Sequence, residues 1–295
     1  MKSMPETEAA QEPPPLSRRD FVASGAAGAA GYALAAGPVR ANAIHTDSQG
    51  LDVGAAHIIV ERGEMPGFFA RPKGVGKPPV VLVAMEVFGL HEYIRDVVRR
   101  LGKLGAFAVA PDYYFGSGVD LTAITDISQV MPIVNAKTDA ELISDLDATV
   151  TWAREHGGDV DRLGIVGFCR GGRTVWEYCA VSKVPKAGVA FYGSLADPQA
   201  QKSRWPQSPL DLAAQMKAPV LGLYGEADQH IAVSQVEEMK ARLAAAGKTA
   251  EFQIYPDAPH GFHADYRPSY RKEAAEDAWR RMADWFRRFG VLTGA

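Results

Sequence analysis

A chain of 295 residues, 47% hydrophobic and 23% charged, is long enough to bury one large core and is far from the composition of a disordered or collagen-like protein. Lys and Arg number 32 against 35 Asp and Glu, a formal charge of -3 with no long block of either sign, so no footprint for a nucleic-acid backbone is present and no nucleic-acid partner is expected. Two cysteines, Cys169 and Cys179, are too few for a disulfide framework.

The N-terminus differs in kind from the rest. Ser17-Arg18-Arg19-Asp20-Phe21-Val22 resembles a twin-arginine export motif, the Ala- and Gly-rich run from Ala23 to Gly37 follows, and Ala41-Asn42-Ala43 supplies an A-x-A cleavage site. The run is too short and glycine-rich to make a stable membrane span. Residues 1–43 are therefore expected to be a removable signal read by the twin-arginine machinery, with residues 44–295 as the mature domain in the bacterial periplasm. Resemblance to such signals also implies export of an already folded protein, which suits a chain that keeps a catalytic thiol.

In the mature part, Ile44 to Ala56 reads as a loose leader, and His57 to Val60 with Gly67 to Ala70 as an antiparallel pair of edge strands. Val80 to Ala84 is a continuous apolar run of the kind a central parallel strand needs. Ile94, Val97, Val98 and Leu101 repeat at helical spacing across Tyr93 to Leu104. Strand Phe107 to Ala110 comes next, and then a long irregular loop, Phe115 to Ala136, expected at an active-site rim. Helix Thr138 to His156 opens on a capping box of Thr138 and Glu141. After a strand at Arg162 to Val166 and a helix at Arg173 to Val181, the alternation continues with strands at Ala187 to Tyr192, Pro219 to Tyr224 and Glu251 to Tyr255. A proline-rich excursion, Asp197 to Pro209, carries Trp205, and helices at Val233 to Ala246 and Ser269 to Phe289 complete the chain. Two antiparallel strands and six that alternate with helices predict a mostly parallel eight-stranded sheet with helices on both faces.

The stretch with the most chemistry is Gly167-Phe168-Cys169-Arg170-Gly171-Gly172, at a strand-turn-helix junction. A turn this sharp needs glycine around the nucleophile, and it lifts Cys169 to the N-terminus of the next helix, where the helix dipole favours a thiolate. Cys179 lies ten residues further along that helix, about 15 Å away at 1.5 Å per residue, and reads as packing. Glu86, Asp228 and His260 also follow strand ends, where ligands of parallel sheets bind. The order Cys169, Asp228, His260 is that of the α/β-hydrolase arrangement, with His260 as general base and Asp228 as its orienting acid. Asp257 and Glu226 are weaker candidates for the acid. Pairing His260 with His263, or Asp228 with His230, gives no metal-ligand spacing, so neither metal nor cofactor is expected.

Together, Glu86-Val87-Phe88-Gly89, Pro111-Asp112-Tyr113, the Gly-Phe-Cys-Arg-Gly-Gly elbow, Gly225-Glu226-Ala227-Asp228 and His260-Gly261-Phe262 resemble the dienelactone hydrolase family across roughly residues 55 to 290. The resemblance implies the α/β-hydrolase fold and cysteine-dependent hydrolysis of a small lactone or ester through an acyl-enzyme. It also implies a fourth catalytic residue, Glu86, that controls thiol ionisation. A partly desolvated carboxylate there is expected to have a raised pKa, the competing expectation being a loop salt bridge with a nearby arginine such as Arg95. The backbone N–H groups of Val87 and Arg170 are the expected oxyanion hole. One departure stands out. The family's arginine shortly after the histidine, which binds a substrate carboxylate, is replaced by Ala264, leaving Arg170, Arg173 and Arg267, with Tyr113, as candidate substrate contacts. A broad carboxylesterase or thioesterase, and a non-catalytic binding module, are the alternative readings.

Overall fold

The computed structural model describes residues 43–124, 126–198 and 201–293; the expected signal, apart from its final residue Ala43, lies outside the described residues. Eight strands form one sheet: β1 Leu51–Val60, β2 Gly63–Pro72, β3 Pro79–Ala84, β4 Phe107–Pro111, β5 Asp159–Phe168, β6 Ala187–Phe191, β7 Val220–Gly225 and β8 Ala250–Tyr255. Their order is β1-β2-β4-β3-β5-β6-β7-β8, antiparallel for β1 with β2 and β2 with β4, and parallel from β4 onward. Every residue of β3, β4, β6 and β7 is buried, as their apolar runs require once helices cover both faces.

Among the described residues six helices of eight or more residues accompany the sheet: α1 Glu92–Lys103, α2 Ile127–Ala136, α3 Asp139–Glu155, α4 Arg170–Val181, α5 Val233–Ala245 and α6 Lys272–Arg288. The register shows which faces they take. Ile165 of β5 pairs with Gly188 of β6, and a Cβ on Gly188 would meet Val175 and Cys179 of α4. Gly164, the preceding residue, would instead meet Phe286 of α6. Successive strand residues point to opposite faces, so α4 and α6 cover opposite sides of the sheet.

Two expectations are corrected. The strand pair is longer than its alternation indicates: β1 begins at Leu51 rather than His57, because the register runs on from Val60↔Gly63 to Leu51↔Pro72 across residues such as Gly54 and Ala55 that carry little strand signal. The segment from Phe115 to Ala136 is not all loop, since α2 occupies its second half. The side chain of Asp126 caps it by accepting the N–H of Ser128, and Ile127, Val130 and Val134 are its buried face. Pro132 disguised the helix in the sequence, but its ring stands on the exposed side. Among the described residues no helix is long and apolar enough to cross a membrane.

Candidate active site

The site is built at the carboxyl ends of β3, β5, β7 and β8. Cys169 sits between β5 and α4 with φ 56 and ψ -117, a conformation that non-glycine residues rarely adopt and that the surroundings must enforce. The enforcing contacts are backbone against backbone. A Cβ on Gly167 would lie 2.1 Å from the carbonyl oxygen of Gly171, one on Gly171 2.0 Å from that of Ala84, and one on Gly172 2.5 Å from that of Phe191. The Cys169 N–H donates to Phe191 at 3.0 Å, and its carbonyl accepts from Gly172 at 2.9 Å, which closes the turn. Arg170, the first residue of α4, has an N–H beyond reach of intrahelical partners, as an oxyanion donor requires. Cys179 is completely buried and burial pushes its thiol far up, in keeping with a packing role.

Asp228 and His260 meet because their turns are pressed together: a Cβ on Gly225 would stand 2.0 Å from the carbonyl oxygen of Ala258. His260 Nδ1 is 2.8 Å from Asp228 Oδ2, and the other carboxylate oxygen accepts the N–H groups of His230 at 2.8 Å and Ile231 at 3.2 Å. Burial works against ionising Asp228, but the His260 bond and these amides hold it below the usual carboxylate range. Burial likewise opposes a charge on His260. Its interactions with Cys169 and with Asp228, to both of which it is hydrogen-bonded, overcome that cost and push the imidazole up to about 10.

His263, three residues on, is committed elsewhere. Its Nδ1 lies 2.7 Å from the Tyr93 hydroxyl, and burial, with Arg100 nearby, pushes it down to about 3.

Glu86 departs from expectation. It is fully buried, yet its carboxyl is pulled down to about 2 rather than raised, because the cost of burial is outweighed by Arg267, His91 and Tyr266. The Tyr266 hydroxyl donates to Glu86 Oε2 at 2.8 Å, while Arg267 Nη2 and His91 Nε2 stand 3.3 Å from the same oxygen. Arg95 is not its partner, since that guanidinium donates to the Leu90 carbonyl at 3.2 Å. Tyr113 is also corrected: fully buried, it donates its hydroxyl to the Met85 carbonyl at 2.7 Å and so anchors the start of the segment carrying Glu86 and Val87, outside the cavity that holds Cys169.

That cavity, of about 210 Å³, is lined by Cys169, His260 and Val87 together with Met131, Trp205 and Ile231. Arg170 and Arg173 are in its wall, whereas Arg267 is not. None of the three is poised for a substrate in the way the sequence suggested. Arg267 is spent on Glu86 and Tyr266, and Arg170 and Arg173 face Asp139, Glu177 and, for Arg173, Asp197. Sequence reasoning placed the rim near residues 115 to 136, and α2 does supply Met131 to the wall.

It missed Tyr192, whose ring meets His260 edge-on at 5.1 Å between centroids and whose backbone has a φ of 38. The signal was there, because Tyr192 directly follows a parallel strand.

The family model for the dienelactone hydrolase family matches residues 65–290. A Methylorubrum extorquens protein, named provisionally as a carboxymethylenebutenolidase, is 50% identical over 279 residues that span 94% of each chain. A Bradyrhizobium protein, named provisionally as a 2-oxo-3-(5-oxofuran-2-ylidene)propanoate lactonase, is 34% identical over 221 residues, covering 75% of this chain and 88% of its own. The crystal structure of a provisionally named dienelactone hydrolase from Klebsiella pneumoniae matches with a TM-score of 0.78 at 44% identity, over 81% of this chain and 99% of its own.

Proposed function

The chain belongs to the dienelactone hydrolase family, hydrolases of ester and lactone bonds, and from that premise we propose that it cleaves a small ester or lactone through Cys169, His260 and Asp228 by way of an acyl-enzyme. The observation that carries this reading is His260, held between Asp228 at 2.8 Å and the Cys169 side chain, with its proton retained up to about 10.

In this scheme Cys169 reacts as the thiolate and His260 as the imidazolium, whose proton is retained up to about 10. The thiolate attacks the carbonyl carbon, and the N–H groups of Val87 and Arg170 receive the negative charge that develops on oxygen. Collapse breaks the carbon–oxygen bond, and the imidazolium gives its proton to the leaving alkoxide. A thioester on Cys169 and a neutral His260 remain. His260 next takes a proton from water as it attacks the thioester, and expulsion of the thiolate releases the acid and restores the pair.

Glu86 stays ionised throughout in this scheme as a fixed anion, so the proton moves only between His260, the leaving alkoxide and the attacking water. We also propose that residues 1–43 direct the precursor to the periplasm through the twin-arginine machinery, on the strength of Arg18-Arg19 and Ala41-Asn42-Ala43.

The test is turnover of a panel of lactones and aryl esters. Cys169→Ala and His260→Ala are each expected to lower kcat on the order of 10³-fold or more, because the group works as a unit. His263→Ala should do far less, and equal losses in the two histidine variants would undo the assignment. The imidazolium is the acid of the first step, so kcat/KM should fall as pH rises through about 10.

A further inference from the structure

We propose that the cavity is closed to substrate anions from within and selects an ester or lactone that is uncharged where it packs beneath Trp205, with Asp197 as the residue that sets this selectivity. The inference rests on the hydrolase reading above and narrows its substrate class.

Two guanidiniums reach the cavity wall, and both are already supplied with carboxylates. Arg173 grips Asp197 in a two-point fork, Nε to Oδ1 at 2.7 Å and Nη2 to Oδ2 at 2.5 Å, and its Nη1 binds Asp139 at 2.9 Å and Glu177. Arg170 donates from Nη1 to Glu177 and Thr174 at 3.3 Å each and from Nη2 to Asp139 at 3.4 Å, while its Nε is buried and makes no hydrogen bond among the described residues. The Trp205 ring lies over both guanidiniums, 4.5 Å from Arg170 and 4.8 Å from Arg173.

The charges of this cluster leave no positive excess. Asp139, Glu177 and Asp197 outnumber Arg170 and Arg173, and if Glu177 takes a proton the remaining four balance. Burial favours that protonation, holding the Glu177 carboxyl above its ordinary range despite Arg173 and Arg170.

A substrate carboxylate would have to displace Asp197 from a bidentate fork and leave that aspartate, with a side chain only 1% exposed, without its counter-ion. Among the described residues no other Lys or Arg lines the cavity, and Met131, Val134 and Ile231 give apolar surface to a lining whose other polar groups include the uncharged Asn135, Ser194 and Gln201. An uncharged acyl or alkoxy group meets no such cost and gains burial against those side chains.

The experiment compares p-nitrophenyl pentanoate with mono-p-nitrophenyl glutarate, a pair of similar length that differ in the terminal charge. The wild-type protein should favour the neutral ester in kcat/KM by about tenfold or more, the size of effect that one charged hydrogen bond commands. Asp197→Asn keeps an oxygen for Arg173 but removes the competing charge, and it should shift the neutral-to-anionic ratio toward the anion by about tenfold. A wild-type preference for the glutarate ester overturns the proposal even if the variant fails to fold, and an unchanged ratio in a folded Asp197→Asn overturns the role of that residue. Should neither ester be turned over, the hydrolase reading falls separately. Calorimetric binding of the two esters to Cys169→Ala then decides the charge question, with tighter binding of the anion as the overturning result.

Discussion

At the scale of single residues, the least expected finding is a glutamate that is completely buried and still ionised. Taking Glu86 out of water would by itself raise its pKa, and Arg267, His91 and Tyr266 reverse the sign to reach about 2. A folded-state pKa depressed from 4.5 to about 2 contributes stability that is present above pH 4.5 and is lost as pH falls through 2. Arg267→Gln would leave that carboxylate without its guanidinium, and we expect a loss of about 3 to 5 kcal/mol at pH 7. The difference from wild type should shrink when denaturant unfolding is repeated near pH 3, where the variant's Glu86 is free to take a proton. A difference equal at both pH values would mean that Arg267 acts through packing on Phe88, over whose ring it lies at 4.8 Å, and not through charge.

At the scale of elements, the elbow between β5 and α4 depends on glycines that serve close approach rather than flexibility. None of Gly167, Gly171 and Gly172 has a positive φ, yet each would put a Cβ within 2.5 Å of a carbonyl oxygen. Gly171→Ala is therefore expected to cost about 3 kcal/mol or more, since backbone and not a movable side chain must give way. Gly76→Ala serves as the comparison, because nothing lies within 4 Å of its Cβ position and its effect should stay within about 0.5 kcal/mol. Thermal or denaturant unfolding of the two variants checks this, and similar midpoints would contradict it. The helix α2 teaches a different point at the same scale: Pro132 and a weakly patterned approach hid it, while Asp126 as cap and the buried face of Ile127, Val130 and Val134 hold it in place.

At the scale of the whole molecule, the sheet order places strand ends β3, β5, β7 and β8 along one edge, and residues more than a hundred positions apart meet there. Trp205 lines the cavity, and its indole N–H donates to the Lys137 carbonyl at 3.0 Å between α2 and α3. Export belongs to this scale too. Replacing Arg18 and Arg19 by lysine should strand uncut precursor in the cytoplasm, read by fractionation and by the size of the product. Normal maturation of that variant would mean that another route reads the segment.

The sequence by itself determined the strand and helix alternation, the elbow around Cys169 and the chain order of Cys169, Asp228 and His260. These rest on signals confined to a few neighbouring residues: apolar period, glycine at fixed offsets, and polar residues just after strands. It did not determine how the charges are spent. Arg173 meets Asp197 across 24 positions and Glu86 meets Arg267 across 181, so no local pattern announces either pair. Only the packed structure decides it, because a buried guanidinium takes whichever carboxylate the fold brings within reach. In this protein the fold supplies that carboxylate itself, to each arginine the sequence had offered to a substrate.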